Sequence, residues 1–246
     1  MIVQACLNGD HPAGYHPNLP VTIEALVEDG RQVINAGASE LHIHVRDHKG
    51  FESLHPDRVD ATIRALRAQL PGTLVGISTG AWIEKDDDRL LACIDTWKVL
   101  PDYASVNLSE KVAPALFEKL HRLGIGIEAG LAQAEDAARL LELGLARFAL
   151  RILVEVGEQE ADRAYAAADE ILAVLGRSEI QKPILLHGVD ALAWLLLRRA
   201  AESGFSTRIG LEDTSMLPNG SAAKSNVELV TTAVHLARTD ACSRHS

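Results

Sequence analysis

The chain has 246 residues, of which 47% are hydrophobic and 24% charged, values that exclude an intrinsically disordered protein. Its net charge of −10 argues against broad binding to nucleic acids or anionic membranes, because both require a basic surface. The three cysteines are far apart, so the sequence predicts no disulfide scaffold and favours a reducing compartment. With no secretory signal and no apolar run of about 20 residues, we expect a cytoplasmic protein.

Short apolar runs alternate along the chain with longer amphipathic segments. The apolar runs predict strands at residues 2–7, 40–45, 74–78, 103–107, 124–128, 146–153, 183–186 and 207–211. The amphipathic segments predict helices at residues 21–36, 58–70, 87–94, 113–123, 134–143, 160–175, 191–203 and 221–238. This alternation, with short connections, is typical of a (β/α)8 TIM barrel. No linker or low-complexity stretch interrupts it, so we predict a single domain over residues 1–246.

A doubly wound open sheet is the alternative fold. Such sheets commonly carry a G-x-G-x-x-G motif after the first strand. Here residues 8–10 read Asn-Gly-Asp instead, which favours the barrel.

The predicted strands end in polar or ionisable residues, where a (β/α)8 barrel forms its active site. His42 and His44 are two residues apart on strand 2, so both imidazoles point to the same side. They are either ordinary histidines of a half-buried strand or ligands of one metal ion. Glu212, at the end of strand 8, lies close to strand 2 in a closed barrel and supplies a third ligand. Two histidines and one carboxylate with an open position are typical of catalytic zinc, although other divalent metals accept these ligands.

Strand 8 also provides Arg208 and Asp213. Adjacent side chains of a regular strand point apart, so we expect one of Glu212 and Asp213 to bind the metal while the other faces the substrate. Arg208 lies four residues before Glu212 and can pair with a carboxylate of Asp213 or of the substrate. A simple ion pair at the barrel rim is the alternative.

Two other segments offer groups that bind anions. Ser78, Thr79 and Gly80 have hydroxyls and backbone N–H groups that can hold a carboxylate or phosphate, although the segment also fits a plain turn. Ser221 is predicted as the N-cap of the last helix, with phosphate binding as the alternative. Trp82 is predicted to serve in packing.

Four segments at the strand ends resemble the β-keto acid cleavage enzymes, whose best-known members act on 3-keto-5-aminohexanoate. The segments are His-Ile-His-Val-Arg-Asp at 42–47, Ile-Ser-Thr-Gly at 77–80, Ser-Val-Asn at 105–107 and Arg-Ile-Gly-Leu-Glu-Asp at 208–213. Pro-Asn-Leu-Pro at 17–20 and Ser-Asn at 225–226 extend the similarity over most of the chain. The H-x-H-x-R-[DE] motif followed by R-x-G-x-E-D is a specific combination.

The resemblance implies a zinc-dependent TIM-barrel enzyme that assembles as a homo-oligomer, a dimer or tetramer. The reaction it implies exchanges a β-keto acid with acetyl-CoA and gives acetoacetate and a new acyl-CoA. His42, His44 and Glu212 match the metal ligands, and Asp213 matches the catalytic acidic residue that transfers a proton, partnered by Arg208. The matching substrate-binding positions are Asp10, Ser78, Thr79, Gly80, Ser105, Asn107 and Glu128.

Several positions depart from the family pattern. Asp10 stands where the family has Glu, Ser105 where it has Thr, and Gly130 where a second Glu follows Glu128. Residues 154–159 lack a Pro-Gly-Gly loop. Because these segments shape the substrate and CoA site, two alternatives stay open. One is another metal-dependent C–C lyase, of aldolase or decarboxylase type, that does not use CoA; the other is an inactive metal-binding homologue.

The far end of the substrate is expected to meet residues from strands 1, 5, 6 and 7. These residues are Asp10, Glu128, Arg151, Glu155 and His187, and they mix both charge signs. Arg151 has two possible roles, pairing with Glu155 or contacting the substrate. We predict a polar β-keto acid with a neutral or cationic tail.

Overall fold

A computed structural model describes residues 1–179 and 181–242. Its strands are β1 (Val3–Cys6), β2 (Glu40–Ile43), β3 (Leu74–Ser78), β4 (Tyr103–Asn107), β5 (Gly126–Leu131), β6 (Arg151–Val156), β7 (Ile184–Gly188) and β8 (Thr207–Ile209). Its α-helices are α1 (Ile23–Asn35), α2 (Pro56–Gln69), α3 (Asp87–Asp95), α4 (Ala113–Leu123), α5 (Ala134–Glu142), α6 (Ala161–Leu175), α7 (Ala193–Ser203) and α8 (Asn226–Cys242). Residues 180 and 243–246 of the predicted domain lie outside the described residues.

The strands form one parallel sheet that curls into a barrel. They are paired in the order β7-β6-β5-β4-β3-β2-β1-β8. A parallel bridge between Leu185 of β7 and Ser206, just before β8, joins the two ends. The N–H of Leu186 also donates to the carbonyl oxygen of Ser206 at 2.9 Å. The sheet is therefore nearly closed, which confirms the (β/α)8 barrel and rules out the open sheet.

The inside of the barrel is polar, whereas the space between strands and helices is apolar. Ala5 of β1 belongs to the hydrophobic core under the helices, but the neighbouring Gln4 is buried among charged side chains. Gln4 Nε2 donates to Glu128 Oε2 at 3.1 Å, and Arg151 Nε donates to the same oxygen at 2.6 Å. Arg151 also pairs with Glu40. Buried charges are tolerated here because each has a partner.

Strands β5 and β6 begin later than the sequence predicts. Gly124 ends α4 in the left-handed conformation, with φ of 74°, so β5 starts at Gly126 and continues to Leu131. Glu128 consequently lies inside the strand, and its predicted position at the strand end is wrong. Leu145–Phe148 form a 3₁₀ turn, which shifts the start of β6 to Arg151 and places Glu155 within that strand.

The last helix begins at Asn226, not at residue 221. The preceding segment is a turn, in which the N–H of Leu217 donates to the carbonyl oxygen of Ser221 at 2.8 Å. The Ser221 hydroxyl donates to Asn219 Oδ1 at 2.7 Å. The predicted N-cap role of Ser221 is therefore wrong. Within residues 1–179 and 181–242, no helix has the length and apolar character needed to cross a membrane.

Candidate active site

A cavity of about 190 Å³ opens at the carboxyl ends of the strands. Its lining residues are Asp10, His42, His44, Ser78, Trp82, Ser105, Asn107, Leu153, Glu155, Val189, Arg208 and Glu212. Active sites of (β/α)8 barrels form at this end. The cavity is therefore the candidate active site.

His42, His44 and Glu212 converge on one side of the cavity. The Nε2 atoms of His42 and His44 lie 3.7 and 3.6 Å from Glu212 Oε1. One ligand atom from each residue lies within 4.8 Å of the other two. The two imidazole rings are 5.4 Å apart with an interplanar angle of 75°. The geometry thus brings together the three residues that the sequence predicts as metal ligands.

These three side chains fit a divalent metal ion. Glu212 Oε2 is buried and makes no hydrogen bond within the described part of the chain, an arrangement that is costly unless another partner is present. Burial lowers the pKa of His42 to about 4, so its imidazole is neutral and has a free lone pair. Burial also disfavours charge on His44, but the carboxylates of Glu212 and Glu52 outweigh it and raise the pKa of His44 to about 9. A metal ion would replace the His44 proton, because imidazole binds metals in its neutral form.

A second group of possible ligands, Cys6, Glu212 and Asp213, shares Glu212 with the first. Burial raises the pKa of the Cys6 thiol well above its ordinary value. The thiol donates to Gln4 Oε1 at 3.3 Å. Since thiolates rather than thiols bind metals, the histidine cluster is the better candidate.

Two glycines allow Glu212 to reach the histidines. Gly9 follows β1 with φ of +55°, and a Cβ there would lie 2.7 Å from Glu212 Cγ. A Cβ on Gly210 would lie 1.7 Å from the carbonyl oxygen of Cys6. The segment after β8 therefore packs directly on the end of β1, and a larger residue at either position would displace Glu212.

The backbone around Glu212 is held from both sides. Asn226 is fully buried at the start of α8, and its Oδ1 accepts a hydrogen bond from Leu211 N at 2.7 Å. Asn226 Nδ2 donates to the carbonyl oxygen of Leu7 at 2.8 Å. His11 Nε2 lies 3.0 Å from the Glu212 carbonyl oxygen. These contacts join the ends of β1 and β8 to α8.

Arg208 lies between Glu212 and Asp213. Its Nη2 donates to Glu212 Oε1 and to Asp213 Oδ1, both at 2.9 Å. Its Nε donates to Asp213 Oδ1 at 3.1 Å. Because β8 ends at Ile209, Glu212 and Asp213 belong to a turn and not to a regular strand. Both carboxylates therefore reach the same guanidinium, although the sequence predicts that they point apart.

Asp213 lies behind Arg208 and is absent from the cavity wall. Its side chain is fully buried, and His187 Nδ1 lies 3.4 Å from its Oδ1. Arg208, in contrast, lines the cavity. The expectation that Asp213 faces the substrate directly does not match this position, because Arg208 and not Asp213 lines the cavity.

Among the predicted substrate-binding residues, Asp10, Ser78, Ser105 and Asn107 line the cavity. Ser78 Oγ accepts a hydrogen bond from the N–H of Gly80 at 3.4 Å, which leaves its hydroxyl hydrogen available for a ligand. Asn107 Nδ2 donates to Glu110 Oε1 at 3.0 Å.

Thr79, Gly80 and Glu128 do not line the cavity, for different reasons. Thr79 is buried, and its Oγ1 donates to the carbonyl oxygen of Ser105 at 2.7 Å. The Trp82 ring packs on Gly80: a Cβ at position 80 would lie only 2.3 Å from the ring carbons of Trp82. Glu128 lies below the cavity and accepts a hydrogen bond from Ser105 Oγ at 2.7 Å.

Glu128 instead supports a residue of the metal cluster. Ser105 Oγ lies 3.4 Å from His42 Nδ1, so Ser105 connects the Glu128 carboxylate to the imidazole. Burial alone would raise the pKa of Glu128, but the Arg151 guanidinium outweighs it and lowers that pKa. Glu128 is thus an anion, and the Arg151 guanidinium offsets its charge inside the barrel.

Comparison with known proteins identifies the family. The family model for the beta-keto acid cleavage enzymes matches residues 1–242. The chain belongs to this family. The assignment confirms the resemblance that the strand-end motifs indicate.

Relatives with assigned names match over nearly the whole chain. The 3-keto-5-aminohexanoate cleavage enzyme of Acetoanaerobium sticklandii is 24% identical over 253 residues, which cover 97% of this chain and 92% of the relative. The 3-oxoadipate:acetyl-CoA acetyltransferase of Cupriavidus necator is 28% identical over 254 residues, covering 93% of this chain and 85% of the relative.

A solved structure shows the same fold. ObcA, in a ternary complex with a C4-CoA adduct and oxalate, superposes with a TM-score of 0.72 at 19% identity. The match covers 93% of this chain and 65% of the ObcA chain. The likeness supports the barrel fold.

This β-keto acid cleavage family member has two site residues that its sequence does not reveal. Glu52 Oε1 lies 2.6 Å from His44 Nδ1, on the ring nitrogen opposite the one that faces Glu212. Trp82 Nε1 donates to Glu52 Oε2 at 2.9 Å. Trp82 covers Gly80 but stays 46% exposed and lines the cavity, so packing is only part of its role. A turn at residues 47–50, closed by an Arg46–Glu52 bridge, returns Glu52 to His44.

We expect Glu52→Ala to weaken metal binding by about 10–100-fold. A carboxylate that hydrogen-bonds to the second ring nitrogen of a metal-binding histidine fixes the orientation of the imidazole and raises its basicity. Glu52→Gln keeps an acceptor oxygen and should lose less affinity. A competition titration with a chromophoric chelator measures the affinity, with Glu118→Ala, an exposed change on α4, as the control. Equal affinities of Glu52→Ala and the control would contradict this role.

Proposed function

We propose that this chain exchanges a β-keto acid with acetyl-CoA, giving acetoacetate and a new acyl-CoA, in a zinc-dependent reaction. The observation that carries the proposal is the position of Arg208, which lines the same cavity as His42, His44 and Glu212. Family membership supports the β-keto acid. The name of the Cupriavidus necator relative, an acetyl-CoA acetyltransferase, supports the co-substrate.

His42, His44 and Glu212 are the proposed holders of the metal ion. Polarisation of the β-keto oxygen is the chemistry that such an ion supplies when bound. Zinc is proposed because two imidazoles and one carboxylate with an open position are typical of its catalytic sites. Nickel, cobalt and manganese are outcomes that metal analysis would distinguish.

Arg208 is proposed to stabilise negative charge that develops on the substrate. Burial lowers the pKa of its guanidinium, but Asp213 and the other nearby anions outweigh it and raise that pKa well above its ordinary value. Arg208 therefore remains a cation. Asp213 binds both Nε and Nη2 of this guanidinium, which fixes its direction. A charged donor that is already oriented needs little rearrangement in the transition state.

Ser78 is proposed to bind the substrate carboxylate. Its Oγ accepts the Gly80 N–H, so the hydroxyl hydrogen can donate into the cavity. Ser78 lies at the end of β3, whereas β6 lies three strands further round the sheet. A β-keto acid held at Ser78 would therefore direct its tail across the barrel mouth towards β6.

The decisive assay measures acetoacetate and new acyl-CoA by liquid chromatography and mass spectrometry. We expect both products only when metal-loaded protein receives a β-keto acid together with acetyl-CoA, and we expect a chelator to abolish them. Cleavage without acetyl-CoA would favour a lyase of aldolase or decarboxylase type. The observation behind that alternative is the loop at residues 154–159, which lacks the Pro-Gly-Gly sequence of the family. No turnover by folded, metal-loaded protein with any acid would indicate an inactive homologue.

A further inference from the structure

Asn226 joins the two backbone segments that carry the proposed metal ligands. Its Oδ1 accepts a hydrogen bond from the N–H of Leu211, the residue before Glu212, at 2.7 Å. Its Nδ2 donates to the carbonyl oxygen of Leu7 at 2.8 Å, and the N–H of Leu7 donates to the carbonyl oxygen of His42 at 3.1 Å. A chain of three hydrogen bonds therefore runs from the backbone of His42 to the backbone next to Glu212.

The Asn226 amide can complete this chain in one orientation only. The N–H of Leu211 requires an oxygen and the carbonyl of Leu7 requires an N–H group, which the two ends of an amide supply. An amide turned end for end would place N–H against N–H and oxygen against oxygen. Because Asn226 is fully buried, bulk water could not satisfy these groups, and the cost of leaving them unpaired would be large. The orientation of this one side chain therefore matters to both segments.

Asp29 of α1 favours the orientation that the chain needs. Its Oδ2 accepts a hydrogen bond from Asn226 Nδ2 at 2.6 Å. Burial raises the pKa of Asp29 to about 6, so above neutral pH the carboxyl is an anion. An ionised carboxylate accepts hydrogen bonds and donates none, so it stabilises the amide nitrogen on its side and repels the amide oxygen. The charge also strengthens the bond.

The Asp29 carboxylate has no other polar partner. Within residues 1–179 and 181–242, the bond from Asn226 is the one hydrogen bond that this side chain makes, and no lysine, arginine or histidine there forms an ion pair with it. Asp29 is nevertheless half-buried, and burying an unpaired carboxylate costs free energy. Its contact with Asn226 is therefore the feature of the structure that accounts for an acid at this position of α1.

We infer that Asp29 is a positioning residue of the metal site: it orients the Asn226 amide, which holds the backbone beside Glu212 in place relative to His42. This role rests on the proposed function, because it concerns the metal site that the function uses. Ligands have to be held within about 0.5 Å of their working positions. A small displacement of the segment after β8 is therefore enough to weaken metal binding, although neither Asp29 nor Asn226 is among the proposed ligands.

The first test measures the zinc affinity of the folded protein by competition with a chromophoric chelator. In Asp29→Ala we expect this affinity to fall by about 10-fold, the lower end of the range for residues that support a metal site without binding the ion. The visible absorption spectrum of the cobalt-loaded protein should also change, because it depends on the arrangement of the ligands around the ion. Glu28→Ala removes the neighbouring, exposed carboxylate of α1. It is the matched control and should behave as wild type in both measurements.

A second comparison shows whether Asp29 acts through Asn226. The Asn226→Ala variant loses the bonds to both Leu211 and Leu7, so its zinc affinity should fall by about 100-fold. The double variant Asp29→Ala/Asn226→Ala should bind zinc no more weakly than Asn226→Ala alone, since the two effects share one path. Losses that multiply in the double variant would reject the path through Asn226.

A purely structural role would give a different result. If Asp29 served only the packing of α1 on α8, Asp29→Ala would lower the melting temperature and keep the wild-type zinc affinity and cobalt spectrum, which would overturn the positioning role. If Asp29→Ala folds poorly, Asp29→Asn decides, because it keeps an acceptor oxygen and loses only the charge. We expect it to bind zinc about 2–5-fold more weakly than wild type, and an unchanged affinity would count against the role.

The same measurements separate this role from the proposed reaction. Absence of metal binding by the wild type would overturn the role of Asp29 together with the metal site. The expected order of zinc affinities in a protein that exchanges no acyl group would support the role of Asp29 and reject only the proposed acyl exchange.

Discussion

Replacing His42 by alanine is expected to lower the metal affinity of the protein by more than about 100-fold. Loss of a residue that only hydrogen-bonds to a metal ligand already costs about 10–100-fold, and loss of the ligand itself should cost more. The Nε2 atom of His42 lies 3.7 Å from Glu212 Oε1 and the residue is buried, so no solvent-exposed side chain can replace it easily. Plasma mass spectrometry of untagged protein gives the identity and amount of the metal. We expect zinc in the wild type and a strongly reduced content in His42→Ala.

His48 provides a control for this experiment. It is exposed in the turn that follows β2, close in sequence to both predicted ligands. His48→Ala should retain the wild-type metal content. An unchanged content in His42→Ala, or an equal loss in both variants, would reject the assignment of His42, His44 and Glu212 as the metal site.

The sequence predicts the barrel and the position of the site because both depend on short-range patterns. Alternating apolar and amphipathic segments define the strands, and the two-residue spacing of His42 and His44 sets their common direction. The contribution of Glu212 follows once the barrel closes, since β1 pairs with both β2 and β8. The strand-end motifs also indicate the family, and the family model over residues 1–242 confirms it.

The sequence is less informative where a residue's neighbours depend on exact strand limits. Glu155 and His187 are register partners of β6 and β7; the sequence predicts both near the substrate tail, but it does not predict that the two side chains contact each other. Glu52 reaches His44 only because a tight turn brings the chain back, and the turn residues carry no indication of a metal site. Asp213 moves behind Arg208 because the strand ends at Ile209, which a regular extended strand would not allow.

The polar layer below the cavity shows why the fold and the site are coupled. Ser105 is the register partner of Glu128, and Glu128 is the register partner of Arg151. Adjacent strands therefore carry complementary groups at one level of the barrel. Glu128 offsets the charge of Arg151 and accepts the Ser105 hydroxyl, which contacts His42. A change in this layer would act on the metal cluster through Ser105.

The Asp213→Asn variant should keep its metal and lose activity by about 10²–10⁴-fold, the range for removal of proton-transfer groups or oriented charge-stabilising donors. Asparagine is nearly isosteric, but it removes the charge that binds Nε and Nη2 of Arg208. Glu212→Gln should instead lose the metal, because Glu212 is the proposed ligand. Metal content and kcat are measured on the same preparations. Metal loss in Asp213→Asn with retention in Glu212→Gln would reverse the two assignments.

A double-mutant cycle then separates the two ways in which Asp213 can act. If Asp213 works by holding Arg208, the Arg208→Lys and Asp213→Asn effects overlap, and the double variant should be about as slow as the slower single variant. If Asp213 transferred a proton to or from the substrate on its own, the two losses in kcat would multiply. The fully buried position of Asp213 behind Arg208 favours the first outcome. The measured coupling thus tests whether Asp213, in the turn after β8, acts by orienting Arg208, which lines the cavity.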